Sequence, residues 1–200
     1  MKKNLVFAAL VSALVLGGSI GSATVNAAVD GVPSTAKTQG IINFSLPTDA
    51  VDPLDPTTPL NPDGTQNKNP NDDMNKPTGN TGALTLDTAP YLSFGQHVIG
   101  EQAGSTYTLD STANPHPYLQ VSDRRGVNAD NKAQGWTVTV AVTDFSNGSQ
   151  SLAGTKLSFA TGTVKAGSES ASTQSAPTSL AVNGLSSASS ATAIFGASVG

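Results

Sequence analysis

The chain has no cysteine. It can form no disulfide, so an exported domain built from it must stand on its own apolar core. With only two histidines, His97 and His116, the usual Cys and His zinc sites are excluded as well, and no metal or other cofactor is implied. Charge is scarce: Asp, Glu, Lys and Arg make up 12% of the residues, about half the usual globular share. The net charge is −4. Only Lys132 lies near the Arg124-Arg125 pair, so there is no basic stripe of the kind that nucleic acid or an anionic membrane requires. Aromatic residues are 5%, with a single tryptophan, Trp136. Ser, Thr, Asn and Gly stand where charges would normally be. That composition suits strands and turns better than helices, because β-branched residues favour the pleated sheet while Glu and Lys favour the helix.

Long apolar runs are absent except at the start. Lys2 and Lys3 precede an apolar stretch from Leu5 to Leu16, Gly17, Gly18 and Gly21 interrupt it, and Val25-Asn26-Ala27 supplies a small-x-small cleavage pattern before Ala28. This is the layout of a secretory signal peptide over residues 1–27. The stretch is shorter than the ~20 apolar residues a membrane span needs, and no later stretch could span after cleavage. Leu46-Pro47-Thr48-Asp49 only partly matches the Leu-Pro-x-Thr-Gly of sortase anchors and stands near the wrong end. Attachment to a surface is therefore expected through binding.

Residues 28–80 read as an extended, mostly disordered arm. Pro53, Pro56, Pro59 and Pro62 recur with the period of three that marks polyproline II. Residues 61–80, rich in Asn, Asp, Gly and Pro, offer almost nothing apolar to bury. Ahead of them, the Ile42-Phe44-Leu46 alternation predicts one short strand within 40–46 that could join the later domain.

Residues 81–200 read as an all-β, β-sandwich-like domain. Strands are predicted at Leu84–Leu86, Tyr91–Phe94, Thr106–Leu109, Tyr118–Ser122, Trp136–Thr143 and Lys156–Phe159, with further strand at Leu180–Leu185 and Thr192–Phe195. The clearest is Trp136–Thr143, where Trp136, Val138, Val140 and Val142 share one face and Thr137, Thr139, Ala141 and Thr143 the other. Residues 166–178 read as a mobile loop. The strand pattern before Gly200 looks unfinished, which predicts that the chain is a fragment of a longer one.

Nothing in the sequence is built for chemistry. Gly196-Ala197-Ser198-Val199-Gly200 matches the nucleophile-elbow pattern, but that elbow needs a following helix and later Asp and His residues, so the match is read as chance. His97 and His116 are read as surface or satisfied residues, and no catalytic residue is assigned. Asn61-Pro62-Asp63-Gly64 and Asn71-Asp72-Asp73 lack the alternating carboxylates and distal Glu of a calcium loop and are read as solvated linker. Asp123-Arg124-Arg125-Gly126 has two readings. The Arg forks suit an acidic glycan or carboxylate, or Asp123 and one Arg close a turn in which Gly126 takes a special φ; the turn is favoured. Trp136 has two as well, packing in the core with its valines or offering a stacking face to sugar rings, and at a strand end it can do both.

Four segments taken in order resemble the WxL-domain surface proteins of low-GC Gram-positive bacteria: Gly82–Pro90 (Gly-Ala-Leu-Thr-Leu-Asp-Thr-Ala-Pro), Leu92-Ser93-Phe94-Gly95, Leu119–Gly126 (Leu-Gln-Val-Ser-Asp-Arg-Arg-Gly) and Gly135–Val140. The family's Trp-x-Leu reads Trp136-Thr137-Val138 here. A second Trp-x-Leu, normally near the C-terminus, is missing because Trp136 is the only Trp. The resemblance implies a non-enzymatic, secreted surface protein held non-covalently to the cell wall, with peptidoglycan as partner and other cell-surface proteins as further partners. The ligand-binding residues it suggests are Trp136 and Val138, with Arg124 and Arg125 beside them. The alternative is an interaction subunit of a surface complex that does not itself touch the wall.

Overall fold

The computed structural model describes residues 20–29, 32–98, 105–146, 148–167 and 176–200, and the side chains from residue 41 onward. The signal-peptide residues Lys2 to Leu16 lie outside the described residues, as does the middle of the 166–178 loop. The chain divides into two compact units, residues 1–45 and 46–200. In the first, β1 (Ile20–Val29) and β2 (Val32–Ile41) pair antiparallel, with Ile20 opposite Ile41 and Val29 opposite Val32.

The second unit is all-β among the described residues, built from small antiparallel sheets. β3 (Leu84–Thr88) pairs with β4 (Gln120–Asp123). β5 (Trp136–Val140) pairs with β11 (Thr192–Ala197), which also pairs with β9 (Thr178–Ser179), so β11 is the middle strand of three. β6 (Phe145–Ser146) and β7 (Ser151–Leu152) form a short hairpin, and β8 (Leu157–Phe159) pairs with β10 (Val182–Leu185). Among the described residues, Leu54, Val182 and Leu185 are buried apolar side chains, and Pro53 is fully buried beside Leu54 in the chain.

β5 is the alternating strand the sequence predicts, with Trp136, Val138 and Val140 half-buried and Thr137 and Thr139 exposed. It ends at Val140 rather than Thr143. The stretches 91–94 and 106–109 form no strand. The backbone of residues 91–94 is spent on loops instead, with the Tyr91 amide donating to the Met74 carbonyl and the Ser93 carbonyl accepting from Asp110. The strand predicted within 40–46 is not formed beyond Ile41, where β2 ends.

The largest departure from expectation is at residues 46–80, which are not a free arm in the structure but belong to the second compact unit. The proline-rich limb folds back on itself as an irregular hairpin. Leu54 bridges Lys68 and Leu60 bridges Gln66. Proline lacks an N–H but keeps its carbonyl, and the period-three prolines use that. The Pro53 carbonyl accepts from the Asn69 amide at 2.7 Å and the Pro59 carbonyl from the Asn67 amide at 2.9 Å, while the Asp55 amide, free to donate, reaches the Asn67 carbonyl. At the tip the Gly64 amide donates to the Asn61 carbonyl, and Gly64 takes φ +81°. That is the turn-plus-glycine closure of a short hairpin loop.

This segment is held by polar burial as well as by the buried Pro53 and Leu54. Asn75 is 1% exposed. Its Nδ2 donates to Asp72 Oδ2 at 2.9 Å and to the His116 carbonyl at 3.2 Å, and its Oδ1 accepts from Asn114 Nδ2 and the Tyr118 amide. The Tyr118 hydroxyl donates to the Leu54 carbonyl at 2.8 Å. Burial, reinforced by the charges of Asp72 and Asp55, pushes its pKa up to about 12. A composition count sees no hydrophobic gain in such residues. It does not see that each buried polar atom has found a partner, which removes the desolvation penalty.

Asp55 gives this hairpin a measurable pH signature. Its Oδ1 accepts from the Thr57 hydroxyl at 2.6 Å and the Thr58 amide at 2.7 Å. These bonds, the Thr57 hydroxyl first, hold the carboxyl at about 2 rather than 3.8. A depressed pKa means that the bonds are complete above the unfolded-state value and are lost as pH falls through about 2. The amide resonances of Thr57 and Thr58 are expected to titrate with a midpoint near that value. A midpoint near the unperturbed carboxylate pKa would show that the 55–58 turn is not formed.

Candidate functional site

Trp136 opens β5, and its surroundings come from β11. Ala193 lies opposite Thr139, but Phe195, not Ile194, lies opposite Val138. Ile194 is thus an extra residue, a β-bulge. Without it, Phe195 would fall opposite Thr137 and point to the other face, because a one-residue slip reverses every side chain. With it, Phe195 joins Trp136 and Val138, and its ring meets the indole edge-on at 5.0 Å and 70°. Gly196 allows this approach. A Cβ there would stand 2.7 Å from the Trp136 carbonyl oxygen.

On the indole's open side lies a cleft of about 200 Å³ lined by Leu84, Thr85 and Leu86 of β3, Val121 of β4, and Trp136, Thr137 and Val138 of β5. It is bounded by two sheets, β3-β4 and the one that begins with β5. Among the described residues no charged side chain lines it.

β3 lines the cleft with Leu84, Thr85 and Leu86 and also carries a buried polar cluster. Leu84 is 39% exposed, whereas Thr85 and Asp87 are 3% and 2% exposed. The Asp87 carboxylate accepts from the Thr85 hydroxyl at 2.6 Å, the Ser122 hydroxyl at 2.6 Å and Gln120 Nε2 at 2.8 Å. Gln120 Oε1 in turn accepts from the Leu54 amide at 2.8 Å. The buried carboxylate thereby ties β3, β4 and the proline-rich hairpin together.

The two arginines follow β4 and do not line the cleft. Arg125 forks onto Asp123, Nε to Oδ1 at 2.9 Å and Nη2 to Oδ2 at 2.8 Å, and Nη2 also donates to the Gln134 carbonyl at 2.6 Å, just ahead of β5. Burial pushes the Asp123 carboxyl up, but the hydrogen bonds and charge of Arg125 outweigh it and hold the carboxyl below its usual range. Arg124 donates through Nη2 to the carbonyls of Asp49 and Gly82 at 2.6 and 2.7 Å, and through Nη1 to Asp49 Oδ1 at 3.2 Å. Gly126 follows with φ +72°. This is the turn reading of the Asp-Arg-Arg-Gly segment, with both arginines engaged rather than one.

The structure thus brings Trp136 and Val138 to the cleft, and Arg124 and Arg125 are not among its lining residues. Sequence reasoning missed Phe195 and Leu84/Leu86 as site residues, since neither the bulge nor the facing of β3 has a local signal. Among the described residues no group of acidic or histidine side chains could hold a metal ion. His97 contacts the Phe94 carbonyl and stacks on Tyr107, and the His116 amide is held by Asn114 Oδ1.

Fold and cleft together define an all-β domain that presents a half-buried tryptophan beside an apolar slot. The model of the WxL family, described as "WxL domain surface cell wall-binding", matches residues 31–200. The chain belongs to that family, which makes it a cell-surface protein of the cell wall. The match takes in the proline-rich hairpin as well as the strands after it. No curated protein and no solved structure matches the chain.

Proposed function

We propose that the protein attaches non-covalently and without catalysis to peptidoglycan, and that the Trp136 cleft is where it does so. The observation that carries this reading is the placement of Trp136: half-buried at the strand end, fixed edge-on by Phe195, and lining an uncharged cleft with Val138. A rigid aromatic face beside apolar walls suits the CH-rich faces of sugar rings. Val138 supplies wall area. Arg124 and Arg125 act indirectly in this reading, since they do not line the cleft and their terminal nitrogens already hold Asp49, Gly82, Asp123 and Gln134, with Arg124 Nε buried and unpaired. They fix the strand ends that set the cleft's width.

Sedimentation of the purified chain, starting at Ala28, with insoluble peptidoglycan tests the proposal. The parent is expected in the pellet. Trp136→Phe keeps ring bulk but loses indole width and N–H, and is expected to bind ~2- to 10-fold more weakly, the size of one aromatic contact. Equal binding by Trp136→Phe would remove the indole from recognition. A parent that stays in the supernatant alone but pellets with other surface proteins would establish the interaction-subunit reading instead.

A further inference from the structure

We infer that the second unit carries a further binding surface, an exposed row of aromatic rings made by Tyr107, His97, Phe94 and Phe145, and that its ligand is a neutral glycan chain. The choice of ligand rests on the wall-binding reading above. The row itself shares no residue with the lining of the Trp136 cleft.

The row is built by the loops that stand where strands are predicted at 91–94 and 106–109. These loops are joined at two points. The Asp110 amide donates to the Ser93 carbonyl at 2.8 Å, and the His97 ring lies 3.8 Å from that of Tyr107 at an angle of 38°. Their base is fixed to the polar interior, since the Tyr91 carbonyl accepts from Nδ2 of Asn114, a residue only 5% exposed. His97 Nε2 stands 2.7 Å from the Phe94 carbonyl, and the Phe94 ring meets Phe145 of β6 edge-on at 6.0 Å and 86°. Leu152 of β7 lies directly opposite Phe145. Each ring is thus held by a neighbour, yet Tyr107, Phe145 and Leu152 stay 39%, 42% and 65% exposed. Apolar side chains that are held in place but left in water forgo the gain of burial, and a contiguous set of them marks a binding surface.

The surroundings select the ligand. Beside Phe145 lies an open depression of about 640 Å³ lined by Phe145, Ser146, Gln150, Ser151 and Leu152. An aromatic face with hydroxyls and an amide at its margin matches a sugar ring, which offers C–H groups on its faces and hydroxyls around its edge. Among the described residues no Asp, Glu, Lys or Arg lines the depression. The two carboxylates closest in sequence are already engaged, Asp110 by the Thr112 amide and hydroxyl and Asp144 by the Ser187 hydroxyl. An anionic polymer would find no cationic fork on this lining. A nucleic-acid strand also stacks on aromatic rings, but it needs a basic groove beside them. The match to the cell wall-binding family covers all of these residues. A second contact on the unit that holds the Trp136 cleft would raise the avidity for a polymer without any new contact at the cleft.

The test titrates the chain from Ala28 to Gly200 with chitohexaose, a soluble glycan that carries no peptide, and follows amide and aromatic NMR signals. Shifts are expected at Phe94, His97, Tyr107, Phe145 and Leu152. Tyr107→Ala and Phe145→Ala are each expected to weaken the binding read at these residues ~2- to 10-fold, the size of one aromatic contact. Phe145→Leu keeps apolar bulk without a ring and is expected to bind as weakly as Phe145→Ala. Urea midpoints read by Trp136 fluorescence show that each variant is folded. Absence of shifts at these five residues with millimolar chitohexaose overturns the proposal, and so does parent-like binding by Phe145→Leu. Shifts produced there by another surface protein but not by the glycan overturn it too, and make the row a protein interface. The two readings fail separately. A parent that leaves peptidoglycan in the pellet alone but shows these shifts supports the row and removes the wall reading of the cleft. A parent that sediments with peptidoglycan but shows none removes the row and leaves the cleft.

Discussion

Asp87→Ala is expected to cost ~3–5 kcal/mol of folding stability, because it removes three hydrogen bonds to a charged acceptor, each contributing ~1.5–3 kcal/mol before water recovers part of the loss. The carboxylate is 2% exposed and accepts from Thr85, Ser122 and Gln120. Its loss leaves the Thr85 hydroxyl, itself 3% exposed, without an acceptor, and each such orphan costs ~1–3 kcal/mol. Gln120 and Ser122 are half-buried and recover part of their loss from water. The damage extends beyond β3 and β4, because Gln120 also holds the Leu54 amide. Loosening Gln120 should release the proline-rich hairpin. Asp87→Asn keeps the shape but turns an amide toward one of the donors, so an intermediate loss of ~2–3 kcal/mol is expected. Urea unfolding followed by Trp136 fluorescence measures both variants, and limited proteolysis reports whether residues 49–69 become the first site of cutting. A loss below ~1 kcal/mol for Asp87→Ala would mean that water reaches the cluster and that it does not tie the segments together.

Trp136→Ala is expected to destabilise by ~2–3 kcal/mol, below the ~3–5 kcal/mol of a fully buried large aromatic because the indole is only half-buried. Part of the loss is the edge-to-face contact with Phe195 at 5.0 Å. A double-mutant cycle with Phe195→Ala isolates it, with a coupling of ~0.5–1.5 kcal/mol expected. The same substitution removes one wall of the cleft, so wall sedimentation of the still-folded variant is expected to fall further than for Trp136→Phe. An unchanged denaturation midpoint would place the indole outside the packed structure. Coupling near zero would mean that the bulge at Ile194 does not bring Phe195 to the indole.

The alternation of β5 was legible in the chain because it is local. Valines and threonines spaced by two can only bury one face of a strand, and the structure shows that face half-buried and the other exposed. The same reasoning read β3 by its leucines and so missed its buried face. Leu84 and Leu86 do share a side, yet Thr85 and Asp87 lie deeper, because residues far away in sequence supply their hydrogen-bond partners. Residues 46–80 failed for the same reason. Their period-three prolines and asparagines look solvated when only apolar area is counted, but Asn75 and Leu54 find long-range partners in Asn114, Tyr118 and Gln120. Arg124 and Arg125 were recognisable as a turn or an anion site, and it took the positions of Asp49, Gly82 and Gln134 to decide for the turn.

By itself, then, the sequence determined the all-β class, the position of the alternating strand, the family and the surface location, since composition, periodicity and ordered motifs are properties of neighbouring residues. The tertiary structure alone decided that the proline-rich stretch is a packed hairpin and that β3 has a polar interior face. It alone decided that one bulged residue in β11 turns Phe195 toward Trp136. Each of these depends on which distant group satisfies a buried polar atom, or on a one-residue register shift, and neither is written in the spacing of residues along the chain.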